Sequence, residues 1–246
     1  MTGKPRQQGF ALLTVLWFLL LAGSIVAMLM LIGLRRAEHQ SARIEQLRLT
    51  LAAESAVETV VADLVLNGPR SQWHQLPANG RYTIDGIALG ISVTSENGKI
   101  DINRADPALV DRALRGLGVA GEARAANVAA ISAQRAQRKT TGTLADMRKL
   151  LAANPTGSAG LACPERYFTV FSGLGRPSST MMAPELARAL GEPEQSAPAN
   201  VTPGSALRIS VKSRNGAPTA IMFVRILGQI GRSHNLIGRE RWSCQT

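Results

Sequence analysis

The stretch "RQQGFALLTVLWFLLLAG", Arg6 to Gly23, joins a short basic and polar leader to an unbroken apolar run, with a single glycine, Gly9, at the junction. From Phe10 to Leu34 there are 25 residues without a charge. At about 1.5 Å per residue that is roughly 37 Å of helix, enough to cross a hydrocarbon core of about 30 Å with some tilt. Thr14 and Ser24 can return their hydroxyl bonds to the preceding turn, so neither spoils such a span. Lys4 and Arg6 precede the run and Arg35 and Arg36 follow it, a balance that leaves its orientation open. A cleaved secretory signal has a shorter apolar core and closes on a small-residue cleavage site. The residues "MLMLIGLRR" offer no such site, so the run reads as retained.

The helical pattern continues past the apolar run. Ile44, Leu47, Leu51, Val57, Val61 and Leu64 recur at helical spacings, with the wider gap bridged by Ala53. Asn67-Gly68-Pro69 is a strong stop. Phe10 to Leu66 therefore reads as one helix of about 85 Å, apolar all round at first and then carrying one apolar stripe to lay on a globular domain.

The 246 residues suffice for one or two domains beyond that helix. Apolar residues make up 45% and aromatics only 4%, so cores must be built mainly from aliphatic side chains and alanine. The formal net charge of +11 raises nucleic-acid binding as a function class, but the arginines are scattered and form no long basic block. Cys163 and Cys244 fit no zinc or redox motif. They would pair in an oxidising compartment and stay separate thiols in a reducing one.

Gly9 followed by Phe10 after a short basic leader resembles the processing site of type IV pilins and pseudopilins. The resemblance implies cleavage between Gly9 and Phe10 by a prepilin peptidase and N-methylation of the new terminal Phe10. It explains why a glycine sits at the junction: the leader is removed there and the apolar run stays. Thr14 departs from the pattern, since most pilins carry a glutamate at that position. The K-type minor pseudopilins of type II secretion systems are the members that typically lack it.

After Pro69, "RYTIDGIALGISVTSENGKIDIN" alternates apolar and polar residues: Ile84, Ile87, Leu89, Ile91 and Val93 predict a hairpin, and Glu96-Asn97-Gly98 a turn into "KIDIN". Asp106 as N-cap and Pro107 at the first helical position open a helical region, with Leu109, Val110, Ala113, Leu114 and Leu117 as its buried face. A second helix is expected over Glu122 to Arg138 and a third after Thr143. "ERYFTVFSGLGRPSSTMMAPELARALG" reads strand, loop, short helix. "ALRISVKS", "PTAIMFVRILGQ" and "IGRERW" read as closing strands, the first two turning at Asn215-Gly216.

The expected fold is α+β: a pilin-like long N-terminal helix on an antiparallel sheet, interrupted by an inserted helical subdomain of the helix-hairpin-helix kind. Boundaries follow as leader 1–9, membrane part 10–34, amphipathic continuation 35–68, first strands 69–100, inserted helices 101–160 and closing sheet 161–246. "GKIDINRADPALV" and the "AP-E-L" helix resemble the opening of the helical insertion, and the segment after it, in K-type subunits.

A second reading attaches to "GLGV". Gly116 and Gly118 with Arg112 and Arg115 match a helix-hairpin-helix that presents backbone N–H groups to a phosphate, which would make the chain a membrane-anchored DNA receptor. Asp101, Asn103 and Asp106 are weak calcium candidates, at a spacing that matches no EF-hand loop. Asp111 joins that acidic cluster and is more simply a solvated helix face. His39, His74 and His234 are isolated, and no nucleophile elbow, phosphate loop or metalloprotease motif occurs. No cofactor and no enzymatic activity are expected.

The resemblance implies a non-enzymatic minor pseudopilin. It would be anchored in a Gram-negative inner membrane with a cytoplasmic N-terminus and a periplasmic body in which a Cys163–Cys244 disulfide forms. Its partners would be other minor pseudopilins in a tip complex, the peptidase and the inner-membrane secretion platform, with nucleic acid not among them.

Overall fold

A computed structural model describes residues 7–151, 161, 163–194, 198–213, 218–229 and 232–240; of the side chains at 7–11, 31–42, 218, 229, 232 and 233 nothing is described. Helix α1 runs from Gln7 to Asn67 and ends at the Asn-Gly-Pro stop. Its end is tied by Asp63, whose carboxylate accepts from Asn67 Nδ2 at 2.6 Å and Ser71 Oγ at 2.5 Å. Two compact units divide the chain, one through Leu49 and one from Thr50.

In the first unit, Leu12–Met30 is apolar, with mean hydropathy 2.5, and none of it is buried. By length and composition this segment can cross a membrane.

The second unit is built on an antiparallel sheet. After the two-residue β1 (Gln75–Leu76) come β2 (Ala78–Ile84) and β3 (Ile87–Ser95), joined by Asp85 and Gly86. Both turn residues have positive φ, 49° and 78°, the conformation that an Asp-Gly hairpin turn supplies. The chain then passes through β4 (Ile100–Asp101), α2 (Pro107–Gly116), α3 (Gly121–Ala136), α4 (Leu144–Leu151), β5 (Phe168–Thr169), α5 (Pro184–Leu190) and β6 (Ala199–Asn200). β7 (Ala206–Ser213), β8 (Pro218–Gln229) and β9 (Arg232–Glu240) complete a five-stranded sheet in the order β2-β3-β7-β8-β9.

Register assigns the two faces of this sheet. Val93 lies opposite Ile209, and Ile209 opposite Met222, which in turn faces Arg239. Cross-strand partners share a face, and Arg239 Nη1 donates to Glu54 Oε1 of α1 at 2.6 Å. That face therefore takes the end of α1, where Ala52, Ala53, Ala56, Val57, Val60, Val61 and Leu64 are buried.

The opposite face carries Ile221 and Phe223 from β8. Phe223 stacks on Phe171 with ring centroids 4.1 Å apart. Gly238 of β9 leaves the room that this stack needs, because a Cβ there would meet Phe171 Cε1 at 2.5 Å. The same core includes Val110, Leu114, Ile131, Met147 and Leu186 from the helices. The helices thus share a core with the sheet. β4 and β5, which flank α2–α4 in sequence, lie side by side in parallel, pairing Ile100 with Phe168.

The α+β class, the β2–β3 hairpin, the Asp106 cap and the helix positions agree with expectation. The apolar stripe on α1 needs correction. Ile44, Leu47 and Leu51 are more than half exposed, and burial begins at Ala52. At 100° per residue Leu51 and Ala53 are about 200° apart, so a stripe drawn through both spans two sides of the helix. The strand expected at the start of "ERYFTVFSGLGRPSSTMMAPELARALG" shrinks to the two residues of β5, "KIDIN" contributes only Ile100 and Asp101 as β4, and Ala199 and Asn200 form β6, which pairs with β1. Asn215 and Gly216 lie outside the described residues.

Candidate functional site

Gly9 and Phe10 lie in the first turns of α1, where only the backbone is described. Thr14 follows on the same helix, just inside the exposed apolar run. Ser24 returns its hydroxyl to Leu21 O at 2.8 Å, satisfying its polarity within the helix.

The hairpin between α2 and α3 uses its glycines internally. Leu117 N donates to Ala113 O, Gly118 N to Arg115 O and Val119 N to Leu114 O, at 2.9 to 3.0 Å. These bonds close the end of α2, so three consecutive turn N–H groups are already engaged. Gly118 supplies the left-handed conformation, φ 82°. Gly116 serves close packing instead. A Cβ there would meet Ala189 O at 2.4 Å, so glycine lets α5 lie against α2.

Asp111 draws in the nearby arginines. Its carboxylate receives Arg115 Nη2 at 2.7 Å and Arg124 Nε at 2.6 Å. Partial desolvation works to raise its pKa, but the two guanidiniums outweigh it and hold the carboxyl below its ordinary range. Arg112 is exposed and borders a cleft of about 300 Å³ with Arg176 and Ser179. Of the two arginines expected at a phosphate, Arg115 is paired with Asp111 and Arg112 lines that cleft.

The calcium candidates have structural roles. Asp101 is buried and accepts from Asn103 N at 2.9 Å, Gly173 N at 2.7 Å and Ser172 Oγ at 3.4 Å. Burial pushes its carboxyl above the usual range, against the pull of those donors. Asn103 exchanges two hydrogen bonds with the Thr141 backbone, at 3.0 and 2.9 Å. Asp106 caps α2 through Ala108 N at 2.7 Å. Among the described residues no three His, Cys, Asp or Glu side chains converge as a metal-ligand group.

Sequence reasoning treated Glu96-Asn97-Gly98 as a turn and nothing more. In the structure it is a junction. Glu96 is fully buried, and its carboxylate accepts from Lys99 Nζ on one oxygen and Thr169 Oγ1 on the other. Asn97 Oδ1 accepts from Ala206 N at 3.1 Å, and Asn97 O from Ser178 N at 2.7 Å. A Cβ on Gly98 would meet Met181 O at 1.9 Å, so only glycine fits against that backbone. The signal available in sequence was an Asn-Gly turn flanked by opposite charges, which gives no hint of burial.

Beside this junction lies a cleft of about 410 Å³ between the β1–β6 ladder and the 180–184 segment, with Lys99 in its wall. Burial lowers the Lys99 pKa, opposed by Glu96 and reinforced by Arg208.

Cys163 is held in a disulfide, and Cys244, the other cysteine of the sequence, lies outside the described residues. No family model, no curated protein and no solved structure matches the chain.

Proposed function

We propose that the chain is a minor pseudopilin of the K type, a non-enzymatic component of a type II secretion system. The observation that carries the reading is the division of α1. A Gly9-Phe10 junction precedes an exposed apolar segment, Leu12–Met30. The same helix then buries Ala52 to Leu64 against an antiparallel sheet. An anchor that continues directly as a packed helix of its own soluble body is what a pilin-like subunit needs.

In this reading a prepilin peptidase removes residues 1–9 and methylates Phe10. The helix waits in the inner membrane, and the body joins other minor pseudopilins at the tip of a short filament. The helices α2–α4 are the insertion that interrupts the pilin-like sheet. They would crowd the space above the sheet and suit a capping position. Thr14, in place of a carboxylate, makes the chain a poor internal subunit, because a pairing group for a neighbour's terminal amine is absent. The secretion platform supplies the energy, and this chain supplies shape and contact.

Deleting the gene in its host and complementing it tests the reading. Folded export substrates should accumulate in the periplasm on deletion and be released again by the intact chain. Unchanged export on deletion would contradict it.

A further inference from the structure

We propose that the cleft beside Glu96-Asn97-Gly98 is a docking site for the C-terminal end of a partner polypeptide, an apolar last residue with its free carboxylate. The cleft of about 410 Å³ is in the size range of small-ligand sites, and its walls include Leu76, Met181, Met182 and Pro184. Lys99 and Arg166 are the two charged side chains that line it, and both are cations.

The state of Lys99 gives the cleft its preference. Its side chain keeps only 13% of its exposure, and among the described residues Glu96 is its one hydrogen-bond acceptor. An ammonium has three donors. Two therefore lack a protein acceptor in a place where solvent access is poor, and leaving a buried donor unmet is costly. The second oxygen of Glu96 is itself engaged, accepting from Thr169 Oγ1. Arg166 is half-exposed and holds Glu185 Oε1 at 2.7 Å with one guanidinium nitrogen, leaving other donors of its fork for a second carboxylate. An incoming carboxylate would be bound by Lys99 and Arg166 while its apolar side chain covers the methionines. An acidic side chain on a polar stem would satisfy the cations and waste the walls. An uncharged apolar side chain would seal the Lys99 donors from water without replacing it.

This inference does not rest on the pseudopilin reading, because any partner with such an end would serve. The test uses the full chain in lipid nanodiscs with methionine methyls labelled for NMR. Met181 and Met182 report on the cleft, while the fully buried Met147 of α4 serves as an internal control. The probes are N-acetyl-Ala-Ala-Leu with a free carboxylate, the same peptide as its C-terminal amide, and octanoate.

The free acid should shift the Met181 and Met182 methyls saturably, leave Met147 unmoved and bind about tenfold or more tighter than the amide. Thr180→Trp, an exposed position on the cleft, should abolish the shifts without disturbing the Lys99–Glu96 pair, and Arg166→Gln should weaken binding several-fold. Lys99→Met should weaken it most, but that variant strands Glu96 and needs an unchanged Met147 signal as proof of folding. Equal binding of acid and amide would overturn the proposal. So would binding that survives Thr180→Trp, no shift with the acid, or shifts with octanoate alone.

Discussion

Two parts of one helix meet opposite fates. Leu12–Met30 is built from large aliphatic and aromatic residues on every side, and all of it is exposed. Ala52–Leu64 buries one apolar side, rich in alanine, against the sheet, and its other side is mainly polar, with Ala62 exposed. A soluble helix needs only one apolar stripe, whereas a helix surrounded by lipid needs apolar residues all round. The composition of each part matches a different solvent, although helical backbone is continuous through both. The difference teaches that how far around the helix the apolar residues extend, rather than how many there are, decides what must cover it.

The sharpest way to break this contrast is to charge the first part. Leu19→Arg combined with Leu20→Arg should cost about 2.5–3.5 kcal/mol per residue of insertion free energy and move the chain out of the membrane fraction. Carbonate extraction and flotation read the result. Retention of the double variant in membranes would mean that lipid does not surround this segment.

The second part should respond to loss of packing. Val60 is fully buried, so Val60→Ala should lower stability by about 2 kcal/mol. Leu51→Ala, only nine positions away on the exposed side, should change it by less than about 0.5 kcal/mol. Thermal unfolding of the purified chain in detergent separates the two. Similar losses would place Leu51 in the packed face after all.

Asp101 provides a subtler effect. Its folded-state pKa is raised by burial, so between the ordinary value and the raised one the folded chain binds more protons than the unfolded chain. Its contribution to stability therefore falls as pH rises through that window. Asp101→Asn should flatten this slope while weakening the bond from Gly173 N. Identical pH–stability slopes in the two proteins would show that burial does not raise this pKa.

The smallest effect belongs to the rim of the helix–sheet contact. Glu54 and Arg239 pair at 2.6 Å, but Arg239 is half exposed, so Arg239→Ala should cost no more than about 1 kcal/mol. High salt should shrink the wild-type advantage. A loss of several kcal/mol would make this pair part of the core.

Much of the architecture was legible because its signals are local. Asp85-Gly86 specifies a hairpin through backbone conformation alone, and Asp106-Pro107 specifies a helix start through capping. The apolar run is apolar on all sides, the pattern that a membrane-crossing helix requires. What was illegible depends on contacts distant in sequence. Ile44, Leu47 and Leu51 have the right spacing for a packed stripe, yet only the sheet's position reveals that the packed side is the one with alanines. Glu96 reads as a turn residue until Thr169, 73 positions later, is found donating to it. Gly116 reads as a phosphate-binding glycine until Ala189 is seen against it. The pattern of a hairpin motif and the pattern of close helix packing use the same residue for different reasons, and only the neighbour tells them apart.

The most direct measurement is the intact mass of the protein extracted from the membranes of its own host. Pilin-type processing predicts a chain that begins at methylated Phe10, lighter by two further hydrogens for the disulfide at Cys163. A chain that still carries Met1 to Gly9 would contradict it, leaving the apolar segment as an ordinary anchor.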